Sequence, residues 1–264
     1  MLKIILPLAL AITIFAACST SNKFVYKDIP NTPMPGFDLQ GSDTQAIALA
    51  DSVMKAVGGR NQWDMTHYLR WTFLGKRSLT WDKWGEKVRI DFLDKDLRIL
   101  LNMQDMTGSV RKQGVVFTEP DSLKKYLQMG KEVWINDSYW VFMPFKLKDS
   151  GVTLKYEGEK DNLVGAKCQV VRMTFKGVGV TPNNKYLIWI NPSSHLITQW
   201  AYFPKATDEK PMFQLPWQDY RAMGHIMLSG NRGEGKSMAP MGVYTAVPDS
   251  VFTSFKEIDW TKMK

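Results

Sequence analysis

The strongest constraint on the fold is a hydrophobic period of two that sets in near residue 68. Leu69, Trp71 and Phe73 alternate with Arg70 and Thr72; Leu79 and Trp81 follow; Val88, Ile90 and Phe92 enclose Arg89 and Asp91. Alternation of this kind sends apolar side chains to one face of a strand and polar ones to the other, so these segments read as strands. The breaks at Gly75-Lys76, Asp82-Lys83-Trp84-Gly85 and Asp94-Lys95-Asp96 are short. Breaks of that length suit hairpins, which makes the strands neighbours in an antiparallel meander. Ile99 to Met103 and Gly114 to Phe117 continue it, and strands resume through Tyr139 to Phe142, Val152 to Tyr156, Cys168 to Phe175, Lys185 to Ile190, Leu196 to Phe203 and Met223 to Leu228. Asn191-Pro192-Ser193-Ser194 reads as a hairpin connection, because Pro disfavours a continued ladder while Asn and Ser favour a turn.

Two stretches are helical. Ser42-Asp43-Thr44-Gln45 has the form of a capping box, and Ile47, Ala50, Val53, Met54 and Val57 recur at helical spacing before Gly58-Gly59, which predicts an amphipathic helix over roughly 43 to 57. Pro120-Asp121-Ser122 opens a second helix, 121 to 129, which Gly130 is expected to end. Inserted into a meander, that short helix reads as a lid over one sheet face, with Leu123, Tyr126 and Leu127 turned inward, or as a plain surface connector. The chain has no repeat of 20 to 50 residues and no second linker, so a single domain over 42–264 is expected. The fold class is mainly β with a few helices.

Ten Trp, nine Tyr and thirteen Phe supply more apolar surface than a minimal core needs. On one strand face Leu69, Trp71, Phe73, Leu79, Trp81, Val88, Ile90 and Phe92 line up, and Trp140 and Phe142 join them as candidate ligand-binding residues. On a curved sheet this set is either the wall of an apolar cavity or a filled core behind helices.

The amino terminus carries Lys3, an apolar run from Ile4 to Phe15, and Phe15-Ala16-Ala17-Cys18. This resembles a bacterial lipoprotein signal with its lipobox. The run is short for a ~30 Å hydrocarbon core, so a removable signal over 1–17 is expected rather than a transmembrane helix. The resemblance implies a diacylglyceryl thioether on Cys18, cleavage before it, and acylation of the new amine. Residues 18–41, with Pro30, Pro33, Pro35 and Gly36, would then be a lipidated tether. Ser19 and Thr20 carry no acidic group, which by resemblance to enterobacterial sorting points to the outer membrane, facing the periplasm. The net charge of +8 falls by one when Lys3 is cleaved away, and outside the cytoplasm it suits an anionic lipid or glycolipid surface rather than nucleic acid, or is merely a solvated face. With Cys18 acylated, Cys168 would be the one remaining thiol, expected to be a small buried hydrophobe.

Catalytic signatures are few. Gly230-Asn231-Arg232-Gly233-Glu234-Gly235-Lys236-Ser237 spells a phosphate-binding loop. Met238-Ala239-Pro240-Met241-Gly242 follows where such a loop needs a helix, so a flexible loop is expected. The chain contains no G-x-S-x-G, no H-E-x-x-H and no paired Cys/His ligands; no cofactor or metal is expected. Asp137, Glu157 and Asp219 are conceivable as a carboxylate pair or as solvated strand ends.

The order of elements, together with the phrases Asp137-Ser138-Tyr139-Trp140-Val141-Phe142, Lys185-Tyr186-Leu187-Ile188-Trp189-Ile190-Asn191, His195-Leu196-Ile197 and Val247-Pro248-Asp249-Ser250-Val251-Phe252, resembles the LolA/LolB-like lipoprotein carrier superfamily. That resemblance implies an incomplete, open β-barrel whose concave face, lidded by helices, holds acyl chains or another hydrophobic ligand without catalysis. A glycan-binding or structural envelope module and an envelope hydrolase are the rival expectations.

Overall fold

The computed structural model describes residues 29–177 and 183–263. The chain runs through α1 (Thr44–Ala56), α2 (Arg60–Met65), β1 (Tyr68–Phe73), β2 (Arg77–Asp82), β3 (Lys87–Phe92), β4 (Leu97–Asn102), β5 (Thr107–Lys112) and β6 (Val115–Val116). The helix α3 (Pro120–Phe142) comes next, then β7 (Val152–Asp161), β8 (Lys167–Phe175), β9 (Lys185–Ile190), β10 (Ile197–Phe203) and β11 (Phe213–Pro216). β12 (Gln218–Met223), β13 (Ile226–Asn231), β14 (Gly242–Tyr244) and α4 (Ser250–Thr253) complete it. The strands form a seven-stranded sheet in the order β14-β1-β2-β3-β4-β5-β6, a five-stranded sheet β11-β10-β9-β8-β7 and a hairpin β12-β13, all antiparallel. Among the described residues no sheet closes on itself, so the expected open, helix-lidded half-barrel is what forms.

The meander is regular. Six-residue strands β2 to β5 are joined by turns at 83–86, 93–96 and 103–106, each ending in a left-handed residue: Glu86 (φ 52°), Asp96 (φ 39°) and Met106 (φ 59°). Such loops turn the chain back in register, and Asp82 Oδ1 ties the first by accepting the Gly85 amide at 2.7 Å.

The structure corrects four local expectations. The cap of α1 is Asp43, and there is no capping box: the Ser42 hydroxyl donates to the Asp38 carbonyl and accepts the Leu154 amide. Asp43 is drawn to strand β7 instead, where it accepts from Lys155 Nζ and the Tyr156 amide, both at 2.9 Å. The second helix runs on to Phe142 through Gly130, so Tyr139 to Phe142 are helical. Aromatic and β-branched residues favour strands by how they pack, not by a backbone preference, and here the spacing Leu127, Gly130, Trp134, Val141 prevails. Gly130 continues the helix because its missing side chain lets the backbone approach β4; a Cβ there would stand 3.1 Å from Ile99 Cγ2. The run Met223 to Leu228 is not one strand but two strand ends about a turn: Met223 closes β12, Gly224-His225 turn the chain, and Ile226 to Leu228 open β13. Part of the tether docks on the body: the amides of Met34 and Asp38 donate to the Lys148 and Val152 carbonyls, and Phe37 is buried.

α1 buries Ala46, Ala50 and Val53 against the five-stranded sheet and Met54 against the seven-stranded one, joining two core clusters. At the centre of the first, Phe142 meets Trp71 edge-on at 5.0 Å and lies 5.7 and 5.9 Å from Trp63 and Trp81. Phe142→Ala is expected to cost about 3–5 kcal/mol, and Leu123→Ala, at a half-buried site, under about 2 kcal/mol, in urea unfolding. Equal losses would mean that the two halves of α3 are seated alike.

Candidate functional site

The register of β1 to β3 brings Leu69 opposite Trp81, Trp71 opposite Leu79, Leu79 opposite Ile90 and Trp81 opposite Val88. All eight predicted wall residues therefore share one face, and each is less than a tenth exposed. Strands β4 and β5 extend this face with Leu97, Ile99, Leu101 and Val110, residues that the alternation over 69–92 does not include. Of the two readings left open for the wall, the structure shows the filled one: α3 lies in the concavity as part of the same core.

Trp140 and Phe142 therefore face the wall from a helix instead of belonging to it as strand residues. Trp140 stands edge-on to Phe73 at 5.4 Å and to Trp200 of β10 at 5.0 Å, touching both large sheets. The lid residues lie in the first half of α3: Leu127 is buried, Leu123 and Tyr126 are half-buried, and Tyr126 packs on Phe117 at 5.0 Å. Val115 and Val116 on the adjacent edge strand are exposed.

Beside the second half of α3 a cleft of about 200 Å³ opens between Trp134, Ile135, Ser138, Tyr139, the Lys146–Asp149 corner and Phe175 of β8. Its lining is mostly apolar, with the Lys146 and Asp149 side chains paired at 2.5 Å at its rim. Burial pushes the Tyr139 hydroxyl well above its ordinary pKa, so it stays neutral. Trp134 joins cleft to wall: it lines the cleft and meets Trp81 edge-on at 5.1 Å.

Two charged anchors hold α3 in this seat. Asp137, fully buried, accepts from Arg77 Nε at 2.5 Å and Nη2 at 2.8 Å, a bidentate pair from helix to β2. Burial raises the Asp137 carboxyl above the ordinary value, against the opposing pull of Arg77. The second anchor corrects the expectation of a flexible loop at 230–237. Arg232 turns inward and is fully buried, donating to the Ser229 hydroxyl and the Asn231 carbonyl at 2.8 Å, and to the Trp140 carbonyl in the last turn of α3. Its guanidinium lies 3.4 Å from the Trp217 ring centre, and burial lowers its pKa to about 9. Glu234 is exposed and Lys236 half-buried, and no helix follows Ser237.

The carboxylates considered for catalysis are engaged separately: Asp137 with Arg77, Glu157 with Lys160 and Arg172, Asp219 with Arg221. Cys168 is buried as expected, its sulfur 3.5 Å from the Thr198 hydroxyl. Among the described residues no three His, Cys, Asp or Glu side chains converge to hold a metal. Cys18 lies outside the described residues.

Asp137→Ala strands Arg77 and is expected to cost about 3 kcal/mol, whereas Asp137→Asn keeps a hydrogen-bond acceptor and costs less. A raised native carboxyl pKa means that the native state holds the proton more tightly than the unfolded chain. The wild-type stability relative to Asp137→Asn should therefore fall as pH rises from 3.8 through the native value. A flat difference in unfolding free energy between pH 3 and 7 would refute that.

No protein-family model matches the chain, and no curated protein matches it. Among solved structures, the crystal structure of a DUF1329 family protein from Desulfovibrio piger ATCC 29098 is similar, with 15% identity and a TM-score of 0.43 over 79% of this chain and 97% of that one.

Proposed function

We propose that the protein is a membrane-anchored envelope lipoprotein of the LolA/LolB-like kind, which binds a hydrophobic or amphiphilic ligand, a lipid or its acyl chains, between α3 and the aromatic face of the seven-stranded sheet, without catalysis. The observation that carries the reading is the apolar cleft along α3, whose inner limit, Trp134, is in contact with the aromatic wall. At about 200 Å³ it is smaller than the ~300 Å³ at which small-molecule pockets begin, so it takes only the end of a chain while α3 stays seated. A longer chain enters as the helix shifts and acyl carbons replace helix side chains against the wall. This exchanges one apolar contact for another, and a 16-carbon chain leaving water gains on the order of 10 kcal/mol at ~0.8 kcal/mol per methylene.

The tryptophans favour this over a glycan-binding surface. Of the ten, only Trp84 is exposed, and it stacks on His67 at 4.0 Å. Stacking platforms for sugars need open faces, whereas Trp63, Trp71, Trp81, Trp200 and Trp217 are buried. Anchoring rests on Cys18 and the lipobox it closes, with the body facing the periplasm from the outer membrane.

Cys18→Ser should abolish acylation, seen as the loss of the lipid increment in intact mass and release from the membrane fraction. The organic extract of that soluble full-length variant should contain a stoichiometric lipid by mass spectrometry. Ile135→Trp, which fills the cleft from a half-buried site, should empty the extract in a folded protein; unchanged lipid content would exclude the cleft as the ligand's place. An extract free of lipid from folded Cys18→Ser protein would turn the reading toward a structural envelope module.

A further inference from the structure

The outer face of the seven-stranded sheet has a different chemistry from the inner one. Arg70 on β1, Arg89 on β3, Arg98 on β4 and Arg111 on β5 fall on it, since the register aligns Arg70, Thr80 and Arg89 in one row and Asp91, Arg98 and Arg111 in the next. The C-terminal segment crosses this face. Arg89 donates to the carbonyls of Ser254 and Lys256, both at 2.9 Å, and Arg98 to that of Phe255. Asp91 is shared between the Nε groups of Arg89 and Arg98.

Between sheet and segment lies a cleft of about 450 Å³ lined by Arg70, Ser78, Asp91, Arg98, Glu257 and Trp260. Two of these residues are incompletely served by the protein. The Arg70 guanidinium hydrogen-bonds the Tyr244 side chain and lies 4.6 Å from the Trp260 ring centre, but its Nε is buried with no acceptor. Glu257 places its carboxylate 2.7 Å from Arg98 Nη2, yet its own side chain is 89% exposed. The hydrogen bond from Arg98, with the charges of Arg89 and Arg111 behind it, lowers the Glu257 carboxyl below the ordinary value, so the spot it occupies favours an anion. An exposed side chain resting there is easily displaced, because surface ion pairs contribute little.

We propose that this cleft binds a phosphate-type oxyanion, with Arg70 and Arg98 donating to it and the Glu257 carboxylate as the built-in occupant that it displaces. The planar guanidinium forks match tetrahedral oxyanions in geometry as well as charge. The chemistry is the same whether the oxyanion is free phosphate or the phosphomonoester of a lipid headgroup. The site lies on the opposite sheet face from α3 and does not depend on what that helix covers.

The test is calorimetric titration of the full chain with inorganic phosphate and with water-soluble dihexanoyl phosphatidate, dihexanoyl phosphatidylcholine being the control. Saturable binding is expected, about tenfold tighter in Glu257→Gln, which removes the competing charge at an exposed site, and about tenfold weaker in Arg70→Met, as loss of one charge-assisted hydrogen bond implies. Similar affinity for phosphate and phosphatidate assigns the site to the free oxyanion, and binding of phosphatidate alone assigns it to a headgroup; both support it. No saturation by either ligand in Glu257→Gln, equal affinity in Glu257→Gln and wild type, or binding of phosphatidylcholine as tight as phosphatidate overturns the proposal. Should Arg70→Met fail to fold, Arg70→Lys keeps the charge without the fork and carries the same expectation of weaker binding.

Discussion

Everything in this fold turns on the seating of one long helix against one aromatic sheet face. The wall from Leu69 to Phe92 is too large and too apolar to face water, and α3 supplies the aromatic surface that covers it, with Phe142 packed among Trp63, Trp71 and Trp81. Close approach depends on small residues at the contact, Gly130 against Ile99 and Gly108 beneath Leu127, where an added Cβ would stand 2.9 Å from Leu127 Cδ2. Direction depends on the two charged anchors. Apolar packing alone specifies a helix position loosely, whereas the bidentate Arg77–Asp137 pair and the guanidinium on the Trp140 carbonyl each permit one arrangement.

Arg232 shows how a buried charge is tolerated without a carboxylate partner. It is compensated by carbonyl and hydroxyl oxygens, by the indole face of Trp217, and by the negative end of α3, whose last turn it contacts. The same side chain thereby joins α3, the β13 strand and Trp217, the residue that links β11 to β12. A sequence that spells a phosphate loop is put to structural use here, because its second variable position points inward.

The two faces of the seven-stranded sheet divide the chemistry between them. A period of two sends Trp71 inward and Arg70 outward on the same strand, so the inner face is covered chiefly by apolar groups, Arg77 at its edge being met by Asp137, and the outer arginines by groups that accept hydrogen bonds. α3 meets the first demand. The C-terminal segment meets the second with backbone carbonyls and one carboxylate, and it does so less completely, since Arg70 Nε keeps a free donor. A chain that must bind something else would leave openings at such seams, and the two clefts beside these covers lie there.

The amino-acid sequence by itself determined strands β1 to β4 of the meander, their antiparallel order and the eight wall residues from Leu69 to Phe92, because alternation and short turns are local signals that survive in any tertiary setting; β5, whose Thr107-Gly108-Ser109 start carries no apolar alternation, was not legible. It also marked the start of α3 at Pro120, although the free amides there, of Asp121 and Ser122, are accepted by the Glu119 carboxylate that precedes it. Only the tertiary structure decided where α3 ends. Gly130 reads as a stop in isolation, and becomes a point of contact once Ile99 is beside it; Tyr139 to Phe142 read as a strand until a helix offers them two sheets to touch. The same holds for Ser42 and Asp43, whose oxygens serve β7 instead of a capping box, and for Arg232, which has no local reason to be buried. Local rules weigh neighbours in the chain, whereas a long helix, a buried cation and a filled concavity are stabilised by groups tens of residues away, whose positions exist only after folding.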